Sequence, residues 1–479
     1  MTDTQTLSHY VDGAWRSGAT AYLSRNPSDL GDVVAEAPEA DAALMDEAIA
    51  AARRAYPAWS DATTEYRADI LHRAGELLIS RAADYGRLLS REEGKTLPEG
   101  VGEVTRAGRI FRYFAGEAVR RHGLSLQSIR PGIDVHTARE SVGVFGLITP
   151  WNFPIAIPAW KAAPALAFGN CVILKPATPT PALAVVLARV LEEAGLPRGV
   201  FNLVHAGPAV SGRLLDNPDV DGVSFTGSTA VGLQLARLAG QRPTKLQLEM
   251  GGKNPLLVMD DADLEIALQC AVDAAFFSAG QRCTASSRII VTPGIHDRFV
   301  SALVERTRAL RIGNALSADT QIGPVATEQQ MDNILSYFEI ARTEGARVET
   351  GGGAVAELAD GLFISPTVLL DCEPDMRVSR EEIFGPVASV LRADSYEEAL
   401  SIANQGDYGL AAGIATTSLA SARHFQRHVR AGMVMVNVPT AGVDYHVPFG
   451  GTRQSSFGPK EQGFAAAEFF TSTRTVYTR

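Results

Sequence analysis

An α/β fold with a doubly wound parallel sheet is what this sequence predicts, and three observations carry it. Short apolar strands and amphipathic helices alternate from Cys171 to Met250. A second alternating block starts at about Pro255. At 479 residues, against about 150 per domain, the chain is long enough for two or three sizeable cores. Parallel strands need a long crossover, usually a helix, so the alternation implies open parallel sheets.

The elements follow in order. From about Met45 to Phe114, MDEAIAAARRAYPAW and YRADILHRAGELLISRAADYG return apolar residues every three or four positions, the period of a helix with one buried face. SLQSIRPGIDVHTARE, between Arg121 and Glu140, reads as a hairpin turning at Pro131-Gly132. VGVFGLITPWNFPIAIPAW, from Val142 to Trp160, is as apolar as a membrane span. Pro150, Pro154, Pro158 and Asn152 break and polarise it, so it reads as buried strand and loop. CVILKP is then a strand, PALAVVLARVLEEAG a helix closed by Gly195 and Pro197, FNLVHA a strand, VSGRLLD a helix, GVSF a strand, TAVGLQLARLAG a helix and KLQLEM a strand. The second block gives the strand LLVM, the helix LEIALQCAVDAAFFSAG, the strand SRIIVT and the helix HDRFVSALVERTRAL. EFFTSTRTVYT near the C-terminus has strand composition and, like the hairpin, wants a partner.

Composition narrows the function. A formal charge of −10 argues against nucleic acid, whose binders cluster Lys and Arg to displace counterions. Four cysteines, Cys171, Cys270, Cys283 and Cys372, give neither a disulfide framework nor metal-ligand spacing, which points to a reducing compartment and no metal. The N-terminus shows no secretory pattern, so a cytoplasmic location is expected, with no membrane partner.

The chemistry gathers at a few places. In GQRCTASS, Cys283 sits where the chain turns after SAG; a bare cysteine is more often a small buried hydrophobe than a nucleophile. Glu249 closes an apolar strand onto Gly251-Gly252, as a candidate base or as a strand-end carboxylate facing water. Asn152, pinned between prolines in TPWNFP, is either a buried turn-former or an oxyanion-hole amide. GVSFTGSTAVG leads through Gly227-Ser228 into a helix, whose N-terminus favours a pyrophosphate; many strand-to-helix turns look alike. Lys175 ends the strand CVILK, where open α/β sheets bind ligands or where a lysine is simply solvated.

Taken together, ITPWNFP, ILKPA, FTGS, LEMGGKNP, GQRCTASSR and EEIFGPV, in this order and spacing, resemble the aldehyde dehydrogenase superfamily over essentially the whole chain. The resemblance implies a Rossmann-like cofactor domain (1–120 and 141–251), an α/β catalytic domain (252–462) and a small β oligomerisation arm (121–140 and 463–479) in a homodimer or homotetramer. It makes Cys283 the nucleophile, Glu249 the general base, and Asn152 with the Cys283 N–H the oxyanion hole. Lys175 and Glu382 become ribose ligands, Phe384 a neighbour of the nicotinamide, and Gly227 and Ser228 the pyrophosphate site. Thr149, Trp151, Phe225 and Met250 fall at the cofactor and Trp160 at the substrate. The implied reaction joins the aldehyde to sulfur, transfers hydride to NAD(P) and hydrolyses the thioester. Ala230 and Met250 depart from the commoner Glu and Leu without touching these roles. Intact Cys283, Glu249, Asn152 and Lys175 argue against a non-catalytic structural or binding protein, and Glu249 argues against acyl transfer to coenzyme A.

Two finer expectations concern specificity. NAD-preferring relatives commonly carry an acid three positions after the strand-end lysine. Thr178 stands there, which removes the repulsion of a 2′-phosphate and predicts that NADP is preferred, with NAD a second cofactor. MVNVPTAGVDYHVPFGGTRQSSFGPKEQG and FFSAGQRCTASSR look most like α-ketoglutaric semialdehyde dehydrogenases, with succinate semialdehyde and other ω-carboxylate aldehydes as alternatives. Arg282, next to the nucleophile, is expected either to hold the substrate's distal carboxylate or to pair with a neighbouring acid.

Overall fold

The computed structural model describes residues 4–120 and 123–479; residues 1–3 of the expected cofactor domain and 121–122, where the arm begins, lie outside the described residues. Two large sheets dominate. The first has eight strands in the order Ser456–Phe457, Lys245–Glu249, Gly222–Thr226, Val144–Ile148, Cys171–Lys175, Phe201–Leu203, His9–Val11, Ala14–Arg16. Its five central strands are parallel, and Val144–Ile148 and Gly222–Thr226 are buried on both faces. The second has seven strands, parallel except for the edge strand Arg347–Thr350, with Asn254–Val258 and Ser286–Val291 at its centre. Each large sheet carries its own core of buried aliphatic and aromatic side chains.

The alternation of strand and helix thus gave the right class, a Rossmann-like sheet beside a second α/β sheet. Helices Ala42–Ser60, Thr64–Ser80, Ala82–Glu93 and Leu97–Ala118 occupy the stretch read as helical. Leu97–Ala118 starts with a capping box, in which Glu99 reaches back to the Thr96 N–H. The hairpin expectation meets strands Ser125–Gln127 and Asp134–Ser141, turning at left-handed Gly132. The C-terminal strand Thr471–Thr478 pairs with Asp134–Ser141, so the two segments that wanted partners take each other.

The structure departs from the reading in four places. The stretch Val142–Trp160 ends in a helix, Ala156–Ala167, not in loop; Pro158 lies in its first turn, where a backbone N–H has no helical partner to lose. VSGRLLD forms two single turns, Pro208–Ser211 and Arg213–Asp216. The helix read through SAG stops at Phe276, because Ser278, Ala279 and Gly280 have φ of 53°, 51° and 67°. Ser456–Phe457, inside the expected catalytic stretch, is an edge strand of the first sheet and sets Ser456 opposite Glu249. The N-terminal strands went unread, although Asp12-Gly13 between His9–Val11 and Ala14–Arg16 is a two-residue hairpin signal. No helix among the described residues is long and apolar enough to cross a membrane.

Candidate active site

Chain order in the first sheet reverses between Val144–Ile148 and Gly222–Thr226, and open α/β sheets bind ligands beyond the carboxyl ends of strands at such a point. Thr149, Trp151 and Asn152 follow one of these strands and Gly227 and Ser228 the other; Lys175 and Glu249 end their flanking neighbours. One sheet edge therefore gathers seven of the expected site residues. Ser228 caps the helix Thr229–Ala239. The hydroxyls of Thr149 and Thr226 are buried at this edge without hydrogen-bond partners among the described residues. Buried polar groups are normally satisfied, so two idle hydroxyls beside a helix N-terminus fit a sugar-phosphate ligand. Phe225 and Met250 lie underneath: both are buried and pack where Gly232 lacks a side chain. Burial lowers the pKa of Lys175, with Glu39 acting the other way, and Thr178 is exposed beyond it.

The second sheet's side of the cleft adds Glu382 and Phe384. Glu382 accepts the Gly252 N–H at 2.9 Å, and burial pushes its pKa up to about 7. A side chain at Gly251 would press on this carboxylate, so glycine there leaves Glu382 its place on the Gly252 N–H. Phe384 has φ 58° and meets Trp151 edge-to-face, ring centroids 5.5 Å apart. Gln330 Nε2 donates to the carbonyls of Ile383 and Phe384 and fixes this bend.

Cys283 leaves the left-handed turn at 278–280 just before Ser286–Val291. Asn254 Nδ2 donates to the Cys283 carbonyl at 2.8 Å, and Asn152 Nδ2 donates to the Gln281 carbonyl at 2.9 Å. The Asn152 amide thus reaches the nucleophile's loop and keeps one N–H for another acceptor. Its backbone is held as firmly. Lys95 Nζ donates to the Asn152 carbonyl and, at 2.9 Å, to Glu103, while Glu103 accepts the N–H groups of Ile155 and Ala156. The Cys283 pKa is raised by burial first, then by the charges of Glu382 and Glu249; the residue is only half-buried, so solvent moderates this push.

Glu249 is buried, with the Ser456 hydroxyl donating to Oε2 at 2.5 Å. Its pKa is raised well above the ordinary carboxylate value by burial and by Glu461, against Ser456, Lys161 and Lys460. Glu461 is itself paired with the fully buried Lys161, which also donates to Ser224 at 2.7 Å. Trp160 is buried against Phe449, ring centroids 5.5 Å apart. Phe449 belongs to a small apolar cluster with Leu410, Ala411 and Met433, on which Cys283 packs.

Arg282 does not offer the free guanidinium that a substrate carboxylate needs. Its Nη2 bonds Glu99 at 2.9 Å and Ser278 Oγ at 2.8 Å, and Nε bonds the same hydroxyl. It lines a cleft of about 470 Å³ that also holds Glu99 and Asp273. Sequence reasoning missed Lys95, Glu103, Arg106, Gln281, Lys161, Ser456 and Glu461. The helical period of Leu97–Ala118 would have flagged Glu103 beside the buried stripe Val104, Ala107 and Phe111; nothing local marks the others.

Comparisons with known proteins agree with this assembly. The aldehyde dehydrogenase family model matches residues 15–476. The chain is 41% identical to the α-ketoglutaric semialdehyde dehydrogenase of Bacillus subtilis, covering 100% of this chain and 99% of that one. It is 42% identical to the α-ketoglutarate semialdehyde dehydrogenase of Haloferax volcanii, covering 98% of each. A crystal structure of Staphylococcus aureus betaine aldehyde dehydrogenase in complex with NAD+ superposes with a TM-score of 0.95 at 34% identity, over 98% of this chain and 94% of that one. With a half-buried cysteine, a buried carboxylic acid and a ligand-ready sheet edge around one cleft, the chain belongs to the aldehyde dehydrogenase family, whose members oxidise aldehydes to carboxylates with NAD(P) as acceptor.

Proposed function

We propose that the protein oxidises α-ketoglutaric semialdehyde to 2-oxoglutarate, accepting NADP in preference to NAD, as a cytoplasmic homodimer or homotetramer. The observation that carries this reading is the convergence of Cys283, Asn152 and Glu249 on one cleft, in a chain 41 to 42% identical over its length to relatives named for that aldehyde. Succinate semialdehyde and other ω-carboxylate aldehydes are the alternatives.

In this reading the Cys283 sulfur bonds the aldehyde carbon, and the free Asn152 N–H with the Cys283 N–H receives the developing oxyanion. A nicotinamide cofactor bound at the sheet edge would supply the hydride acceptor. Thr149, Trp151, Lys175, Gly227, Ser228, Glu382 and Phe384 hold that cofactor, with Phe225 and Met250 supporting the turn beneath it. Glu249, once ionised, takes a proton from the water that opens the thioester. The segments 1–120 and 141–251 serve the cofactor, 252–462 carries the catalytic loop, and the three-stranded sheet of 121–140 and 463–479 joins subunits. The four unpaired cysteines support a reducing compartment.

Two measurements test this. Across aldehydes with and without a distal carboxylate, kcat/KM is expected to be highest for the five-carbon keto acid semialdehyde, and Cys283→Ala is expected to abolish turnover while still binding cofactor. A neutral aldehyde turning over best would overturn the substrate. With both cofactors, wild type is expected to favour NADP and Thr178→Glu to favour NAD; a wild-type preference for NAD would overturn the cofactor reading.

A further inference from the structure

Arg106, on the helix Leu97–Ala118, is a guanidinium short of partners. Its Nε is buried with no hydrogen-bond partner, and among the described residues its one side-chain bond is a long one, Nη2 to Gln462 Oε1 at 3.3 Å. The neighbouring Glu103 is spent on Lys95 and on two backbone N–H groups. Arg282, by contrast, is already paired with Glu99. A cation taken out of water wants an anion, and the energetic penalty of leaving it without one is large.

The surroundings of Arg106 say where that anion comes from. Its guanidinium carbon lies 5.8 Å from the Trp160 ring centroid, Trp160 stands against Phe449, and Phe449 anchors the cluster on which Cys283 packs. Two aromatic walls thus connect the guanidinium to the sulfur. Burial lowers the Arg106 pKa, while Glu103, Asp444 and Cys283 act the other way, so the guanidinium lies within electrostatic reach of the sulfur. The unpartnered Nε, beside an Nη2 whose Gln462 bond is long and which has a second N–H, forms the planar fork that takes a carboxylate through two parallel bonds.

We propose that Arg106 binds the distal carboxylate of a dicarboxylic semialdehyde whose aldehyde carbon sits at Cys283, and so selects such substrates over neutral and cationic aldehydes. The proposal rests on the substrate reading given above. The two fail differently in one experiment. The ratio of kcat/KM for glutarate semialdehyde to that for pentanal is measured in wild type, Arg106→Met and Arg106→Lys. Binding is read separately, as the slowing of Cys283 alkylation by iodoacetamide when glutarate is present.

Wild type is expected to show a high ratio and glutarate protection. Arg106→Met is expected to lower the ratio about 10- to 100-fold, the scale of one charged hydrogen-bonding partner, and to lose protection. Arg106→Lys is expected to keep part of both and gives the answer if the Met variant fails to fold. Betaine aldehyde, a cation, is expected to react poorly with wild type and better with Arg106→Met. A wild type with no carboxylate preference overturns the substrate reading and this inference together. A wild-type preference that both variants retain in full overturns the inference alone.

Discussion

Two buried clusters flank the cleft, each with a lysine among carboxylates, and they are wired differently. Around Lys95, the ammonium pairs with Glu103 at 2.9 Å and Glu93 at 3.5 Å, and the remaining bonds run to backbone carbonyl and N–H groups of the Asn152 loop. Around Glu249, Lys161 pairs with Glu461 instead, so Glu249 has a serine hydroxyl as its donor, a like-charged neighbour in Glu461, and the charges of Lys161 and Lys460 near it without a direct ion pair among the described residues. The first cluster ties its ammonium directly to two carboxylates, one of which, Glu93, has its pKa pushed up to about 7 by burial, and spends Glu103 on fixing a loop. The second leaves one carboxyl unpaired, with a raised pKa, which is the condition for a group that must exchange a proton near neutral pH. Similar residue types therefore yield a clamp in one place and, in the proposed mechanism, a proton-transfer site in the other.

The largest expected effect tests the proton-transfer half. Glu249→Gln keeps the shape and removes the proposed base, so kcat is expected to fall about 10³-fold while the first turnover still gives a burst of reduced cofactor. A variant with full steady-state turnover would break the contrast. Next comes the clamp: Lys95→Met strands Glu103 and Glu93, so a lower unfolding temperature and a loss of roughly tenfold in kcat are expected as the Asn152 loop loosens. A drop in stability with kcat intact would mean that the cluster does not reach the chemistry.

The smallest effect sharpens the comparison through pH. In the proposed mechanism Glu249 works in its ionised form; burial and Glu461 raise its pKa, and the Ser456 hydroxyl pulls it down. Ser456→Ala removes that hydroxyl, so the acid limb of the kcat–pH profile is expected to move to higher pH. Near neutrality kcat falls by roughly fivefold, the worth of about one hydrogen bond, and it recovers in alkali. An acid limb that stays in place would assign the titration to another group.

Most of the architecture was legible because period and punctuation are local. Gly195-Pro197 closed a helix, and CVILK and GVSF announced parallel strands. The strand ends then delivered Lys175, Gly227 and Glu249 to one edge, since a parallel sheet aligns its carboxyl ends. What escaped depended on partners far away in sequence. Nothing near Lys161 announces Glu461, 300 positions on, and nothing near Ser456 announces Glu249. The same blindness explains Arg282: its adjacency to Cys283 was visible, but its acid, Glu99, comes from a helix 183 positions earlier.

The left-handed turn at 278–280 makes the nucleophile a product of assembly. Ser278 and Ala279 are not glycine, and left-handed backbone costs such residues about 1–2 kcal/mol each. Glu99 offsets this by accepting the Ser278 N–H at 2.9 Å and its hydroxyl at 2.8 Å, from the helix whose start it also caps. Detached from that helix, the turn keeps its conformational cost and loses its acceptor. The thiol-bearing loop is therefore a keystone, set only when the arch on both sides is up.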